Sequence, residues 1–156
     1  MKLKVTINDR LFETEEGTTL LEVARANGIE IPTLCNHPDL KPVGSCRLCL
    51  VEVGPAANLA TACTLQVYDG LAVNTETPRL VQIRKSILEL LLEDYADAGY
   101  ATGDREATEF ERWLTHYEVR RRTGTAAQLR YPIDADPNPV LWIDRNKCIL
   151  CKRCVR

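Results

Sequence analysis

Cys35, Cys46, Cys49 and Cys63 constrain this chain more than any other feature of it. Ten residues separate the first two, two separate the middle pair, and thirteen separate the last two. The flanking text reads IPTLCNHPDL, then VGSCRLCLVEV, then LATACTL. Four thiolates gathered from one long loop and the element behind it hold either an iron–sulfur cluster or a zinc ion. The central Cys-x-x-Cys serves either group together with two further sulfurs. Gly44 and Ser45 stand just before Cys46. Residues this small let backbone N–H groups approach cluster sulfurs, and such bonds help set a reduction potential.

The spacing, with HPDL after Cys35 and G-x-C-R-x-C around Cys46 and Cys49, resembles a known domain. It is similar to the N-terminal [2Fe-2S] ferredoxin domain of the large iron–sulfur subunit of respiratory Complex I. The same domain opens NAD-linked hydrogenase subunits, iron hydrogenases and some formate dehydrogenase α-subunits. Plant-type ferredoxins differ, with only four residues between the first two cysteines. The resemblance covers roughly the first ninety residues and implies that Cys35, Cys46, Cys49 and Cys63 ligate one [2Fe-2S] cluster. It also implies a β-grasp [2Fe-2S] ferredoxin domain over residues 1–77; the residues beyond read as a helical extension over 78–130 and a linker with the start of a [4Fe-4S] ferredoxin module over 131–156, an α+β chain.

The residues in order support the first part of that division. Leu3, Val5 and Ile7 alternate with polar neighbours, the period of a half-buried strand. Asn8-Asp9 marks a turn, and Leu11 to Thr14 reads as the returning strand. Thr18 or Thr19 caps a helix whose apolar face is Leu20, Leu21, Val23 and Ala24, and Gly28 closes it. A β-branched run, Val51 to Val53, follows the central cysteines. Asp69-Gly70 turns the chain into a closing strand over Leu71 to Thr75. Pro78 suits the first turn of a long helix. Leu80, Ile83, Ile87, Leu90 and Leu91 form its packing stripe, with Arg79, Arg84 and Lys85 on a solvated face.

Beyond that helix the chain departs from its resemblance. The Complex I type carries His-x3-Cys-x2-Cys-x5-Cys there, the ligands of a [4Fe-4S] cluster, whereas this chain has Tyr95 near the histidine position and no cysteine until Cys148. No metal is expected between Tyr95 and Arg122. Asp104 is placed to cap a second helix through Phe110, Trp113, Leu114 and Tyr117, with Arg120 to Arg122 complementing its dipole. After a linker, Val140 to Asp144 reads as a short strand. Cys148, Cys151 and Cys154 then open a bacterial-ferredoxin run, whose fourth cysteine follows four positions after the third. The text stops at Arg156, inside the motif, so a fragment, a truncated product or an unusual gene is expected. Three thiolates leave a cubane one ligand short, and this tail is expected to be loose and prone to oxidation. A zinc knuckle is the alternative there.

His37 and Arg47 complete the candidate site. A Rieske centre needs a second histidine beside a second cysteine, and His116 is too distant in sequence to supply it. A hydrogen bond that orders the loop is the simpler role for His37. Arg47, between two ligands, either raises the potential through its charge or points to solvent.

Composition narrows the partners. A net charge of −2 argues against a nucleic-acid binder. No apolar run reaches the length of a bilayer span. Seven cysteines without a signal h-region suit a reducing, cytoplasmic compartment. No nucleotide, P-loop, nucleophile-elbow or zinc-protease motif is present. The reading is an electron-transfer module of a multi-domain or multi-subunit oxidoreductase: NAD-linked formate dehydrogenase, hydrogenase or Complex I-like. Its partners would be other iron–sulfur, flavin or molybdopterin subunits or domains, with [4Fe-4S] clusters in a longer parent. A zinc-stabilised interaction module without a redox role stays open at this point, as does a free-standing ferredoxin.

Overall fold

Alternation at the N-terminus becomes a hairpin. β1 (Lys2–Ile7) buries Leu3, Val5 and Ile7 on one face and pairs antiparallel with β2 (Arg10–Glu15), Ile7 opposite Arg10. Asn8 and Asp9 both take positive φ, 49° and 63°, the conformation a two-residue hairpin loop needs. The Asn8 side chain also braces the sheet: its Oδ1 accepts from the Thr75 N–H at 2.8 Å and its Nδ2 donates to the Thr75 hydroxyl at 2.7 Å. The structure is a computed structural model and describes residues 2–96, 107–121, 128–132 and 143–156.

Helix α1 (Leu20–Ala26) starts at Thr19, whose hydroxyl accepts from the Glu22 N–H while the Glu22 carboxylate accepts from the Thr19 N–H. This reciprocal capping box satisfies two of the helix's orphan donors. Two more N–H groups, of Leu20 and Leu21, donate to the Leu65 and Ala62 carbonyls at 2.8 and 3.0 Å. The helix start is thereby tied to the segment carrying Cys63. Gly28 sits at φ +69° just past the helix end, as its place in the sequence predicts.

Three further strands follow: β3 (Leu50–Val53), β4 (Asn58–Thr61) and β5 (Leu71–Asn74). The mixed sheet has the order β2-β1-β5-β3-β4. β5 is therefore central: it runs parallel to β1 and antiparallel to β3. Leu20, Leu21, Val23 and Ala24 of α1 join Val5, Ile7, Val51, Leu71 and Val73 of the sheet in one core, which also includes Cys49 and Cys63. Full burial of each Leu, Ile or Val contributes about 1.5–3 kcal/mol. This is an α+β, ferredoxin-like fold, in agreement with the reading from sequence.

The long helix α2 (Pro78–Asp94) corrects one expectation. Its fully buried residues are Leu80, Arg84 and Leu88, four positions apart, while Leu90 is exposed. Arg84, assigned to the solvated face, lies at the centre of the buried one. The apolar stripe alone could not show this, because a guanidinium counts as polar until its partners are seen.

The chain divides into two compact units, Met1–Arg84 with Cys151–Arg156, and Lys85–Leu150. Within the second unit, α3 (Glu109–His116) has Thr108 as its cap, again in a capping box, with Glu111. The proposed cap Asp104 lies outside the described residues. The helix also ends before Arg120, so the basic run does not complement its dipole. Arg121 instead donates to the Leu92, Glu93 and Tyr95 carbonyls at the end of α2, where a cation opposes the helix's negative end. The Tyr95 ring meets Phe110 edge-on at 5.0 Å, and its hydroxyl donates to Glu111 at 2.9 Å. Buried Asn146 links three segments, accepting from the Arg130 and Tyr131 N–H groups and receiving the Ala96 N–H on its own carbonyl. Of the expected strand at Val140 to Asp144, Ile143 and Asp144 are not in a strand and the rest lies outside the described residues. Among the described residues, no helix is long and apolar enough to cross a membrane.

Candidate metal centre

Strand register brings two of the four cysteines together. Cys49 immediately precedes β3 and Cys63 lies just beyond β4. Leu50 pairs with Thr61, and the Ala62 N–H extends the ladder to the Cys49 carbonyl at 3.0 Å. The two Sγ atoms consequently stand 3.4 Å apart, both buried. The other two arrive on the loop between α1 and β3. Arg25 of α1 holds the first part of this loop through the Asn36 Oδ1 at 2.8 Å and the buried Thr33 hydroxyl at 3.3 Å.

Gly44 makes the second approach. Its φ is +61°, and a Cβ there would meet the Thr61 hydroxyl at 3.3 Å. Glycine is thus required twice, for backbone conformation and for close packing. Beyond it, the Ser45 and Cys46 N–H groups point at the Cys35 sulfur. The Leu48 N–H points at Cys46, and the Cys63 N–H points at the Cys49 sulfur. Arg47 turns the intervening chain at φ 59°, a left-handed conformation uncommon for a side chain of its kind. Successive inward N–H groups of this kind make a concavity for negative charge.

The thiols interact in a chain: Cys46 with Cys35, Cys35 with Cys63, and Cys63 with Cys49. The Cys46 and Cys63 side chains, then the Cys46 and Ser45 N–H groups, hold Cys35 far below the ordinary thiol range, at about 2. Cys49 is drawn down to about 7, chiefly by Cys63. Their partners move the other way. Cys46 is pushed up by Cys35 and by burial, and Cys63 by Cys35, Cys49 and burial. Four sulfurs this close cannot all be anionic without a cationic centre among them, and metal binding would displace the remaining protons. The donor set fits an iron–sulfur group: four thiols in two neighbouring pairs, with backbone N–H groups directed at the sulfurs. Among the described residues, no three His, Cys, Asp or Glu side chains converge on a single metal-ion position.

Residues 1–78 match the family model described as a 2Fe-2S iron–sulfur cluster binding domain. The chain belongs to this family. Its cofactor is a [2Fe-2S] cluster. Relatives of the 2Fe-2S domain and its continuation include the gamma chain of the NAD-reducing hydrogenase HoxS of Cupriavidus necator, 35% identical over 99% of this chain and 65% of that relative. The mitochondrial 78 kDa subunit of NADH-ubiquinone oxidoreductase from Candida albicans is 30% identical, over 99% of this chain and 22% of its own length. A crystal structure of an NAD+-reducing [NiFe]-hydrogenase in the H2-reduced state superposes with a TM-score of 0.82 at 30% identity, covering 98% of this chain and 64% of that one. The chain therefore spans less than two thirds of these relatives. The likeness to Complex I and hydrogenase subunits, read from the cysteine frame, holds.

The remaining candidates fall as follows. His37 is exposed and its Nδ1 accepts from the Asp39 N–H at 3.3 Å, the loop-ordering role. Arg47 is exposed. Cys148 and Cys154 are exposed and Cys151 is half-buried. The expectation of a loose tail is corrected. Arg153 donates to the Asn36 carbonyl, and Arg156 donates to the Cys35 carbonyl and, at 2.7 Å, to the Lys41 carbonyl. These arginines stand beside the third cysteine of the tail, and nothing in the sequence pairs them with the Cys35 loop over a hundred positions away. Thr61 and Thr64 were also missed; their hydroxyls bond to each other at 2.5 Å beside Gly44.

Proposed function

We propose that this chain is the electron-transfer iron–sulfur module of a multi-subunit NAD-linked oxidoreductase, with Cys35, Cys46, Cys49 and Cys63 as the ligands of its [2Fe-2S] cluster. The observation that carries the reading is the Cys49–Cys63 contact of 3.4 Å, set by the β3–β4 register and continued through Cys35 to Cys46. When bound, the cluster accepts and releases single electrons. The chain's own residues hold the sulfurs in place, keep three of them buried, and aim backbone N–H groups at them. Each of those N–H groups favours negative charge and so favours the reduced state.

Partner subunits follow from the relatives, whose names pair a nicotinamide nucleotide with a hydrogenase or a quinone. Flavin, iron–sulfur or molybdopterin centres would exchange electrons with this module. Cys148, Cys151 and Cys154 would contribute ligands to a [4Fe-4S] cluster of the bacterial-ferredoxin kind. Seven free cysteines suit a reducing, cytoplasmic setting. The test is a mediated redox titration of the anaerobically reconstituted chain followed by EPR. A single one-electron wave with a spin-one-half signal in the reduced state supports the proposal. A colourless protein that takes up no electrons contradicts it.

A further inference from the structure

Arg84 is a completely buried cation in a ferredoxin-like domain, and burying a guanidinium is costly unless its donors are all engaged. Its partners are specific. Nε donates to the Leu48 carbonyl at 3.3 Å, and Nη2 to the Leu50 and Thr75 carbonyls at 2.9 and 2.8 Å. Nη1 pairs with the Glu76 carboxylate at 2.6 Å, and that carboxylate is 54% exposed. Leu48 and Leu50 flank Cys49 on both sides. The positive end of the Arg84–Glu76 pair thus lies inside, on the backbone of the candidate ligand, and its negative end faces water.

We propose that Arg84 is a positioning residue of the cluster site, whose buried charge fixes the peptides on either side of Cys49 and makes the site a better electron acceptor. The inference rests on the reading that the four cysteines hold a [2Fe-2S] cluster. Two physical effects act in the same direction. The Leu48 carbonyl belongs to the peptide that carries the Cys49 N–H, which lies beside the Cys49 sulfur. A cation on the carbonyl polarises that peptide and strengthens its N–H as a donor. Arg84 also places a unit of positive charge on the backbone around Cys49, where one-electron reduction adds a unit of negative charge. A charge about 10 Å away at an effective permittivity near 20 changes such an equilibrium by about tenfold.

A purely structural role, pinning α2 to the sheet, predicts a different outcome, and the midpoint potential separates the two. Wild type, Arg84→Gln, Arg84→Lys and Glu76→Gln are reconstituted as full chains, assayed for iron and sulfide, and titrated with dithionite as the reductant. Glu13→Gln serves as control, since Glu13 lies on β2 at the opposite edge of the sheet. Arg84→Gln should disfavour the reduced state by about tenfold, about 59 mV for a one-electron couple. Arg84→Lys should recover most of that shift by restoring charge. Glu76→Gln, which leaves Arg84 uncompensated, should shift the potential upward; as its side chain is half exposed, it also serves should Arg84→Gln fail to fold. A wild-type chain without sulfide overturns the ligand assignment and this inference with it. A normal cluster whose potential follows the Glu13→Gln control in Glu76→Gln and in the Arg84 variants, while only thermal stability falls, overturns this inference alone.

Discussion

Arg156 donates to the backbone carbonyl of Cys35, so the segment that carries Cys154 is tied directly to a proposed ligand of the [2Fe-2S] site. Arg153 makes the matching contact one residue further on, at Asn36. Hydrogen bonds from charged donors to carbonyls contribute more than neutral ones, about 1.5–3 kcal/mol when buried and less when half exposed. Arg153→Ala with Arg156→Ala should therefore loosen the Cys35 loop. The Leu40 N–H, which donates to the His37 carbonyl at 3.1 Å, is the reporter. Its hydrogen exchange is expected to accelerate by about fivefold, for a loss of about 1 kcal/mol. Unchanged exchange would show that the contacts add nothing to loop order.

Gly44→Ala tests the close approach before Cys46. An alanine at φ +61° is strained, and its Cβ would press on the Thr61 hydroxyl at 3.3 Å, which is already engaged with Thr64. A cost of about 1–3 kcal/mol is expected, read as a lower unfolding midpoint of the apo chain. The Ser45 and Cys46 N–H groups would also move off the Cys35 sulfur, so iron should be lost faster to a chelator. A variant as stable and as slow to release iron as wild type would show that the loop needs no glycine.

The α1 capping box gives a stability test with a defined pH dependence. Thr19→Ala removes the cap and should cost about 1 kcal/mol. The Thr19 N–H, then the Thr19 hydroxyl, hold the Glu22 carboxyl below the usual carboxylate range. Because its folded value lies below its unfolded one, this contribution is complete above the ordinary carboxylate range. It is lost as pH falls through the lowered folded value. Glu22→Gln should accordingly flatten the acid limb of the apo chain's thermal stability. An acid limb identical to wild type would assign the loss to other carboxylates.

Local patterns made much of the first unit legible. The alternation of Leu3, Val5 and Ile7, the Asn8-Asp9 turn, the Thr19 cap and Gly28 all act within a few residues, and each is where the sequence puts it. The family was legible in the cysteine frame, because the spacing and its flanking residues stand in the sequence itself. β4 was missed, since Asn58 to Thr61 shows little alternation and owes its state to pairing with β3. Arg84 was misplaced for a related reason. Its burial depends on carbonyls thirty-four and thirty-six positions earlier, which no helical period reveals. The basic run at Arg120 and Arg121 shows the same limit: a cation at a helix end was expected, but the helix it completes is α2 rather than α3.

The central claim is that Cys35, Cys46, Cys49 and Cys63 hold one [2Fe-2S] cluster. Its most direct test is the quantification of iron and acid-labile sulfide in the anaerobically reconstituted chain beside Cys49→Ser, with Cys148→Ser as the comparison. The account predicts equal amounts of iron and sulfide in wild type and in Cys148→Ser, and loss of most of both in Cys49→Ser. Bound zinc without sulfide in wild type, or sulfide that survives Cys49→Ser undiminished, would contradict it.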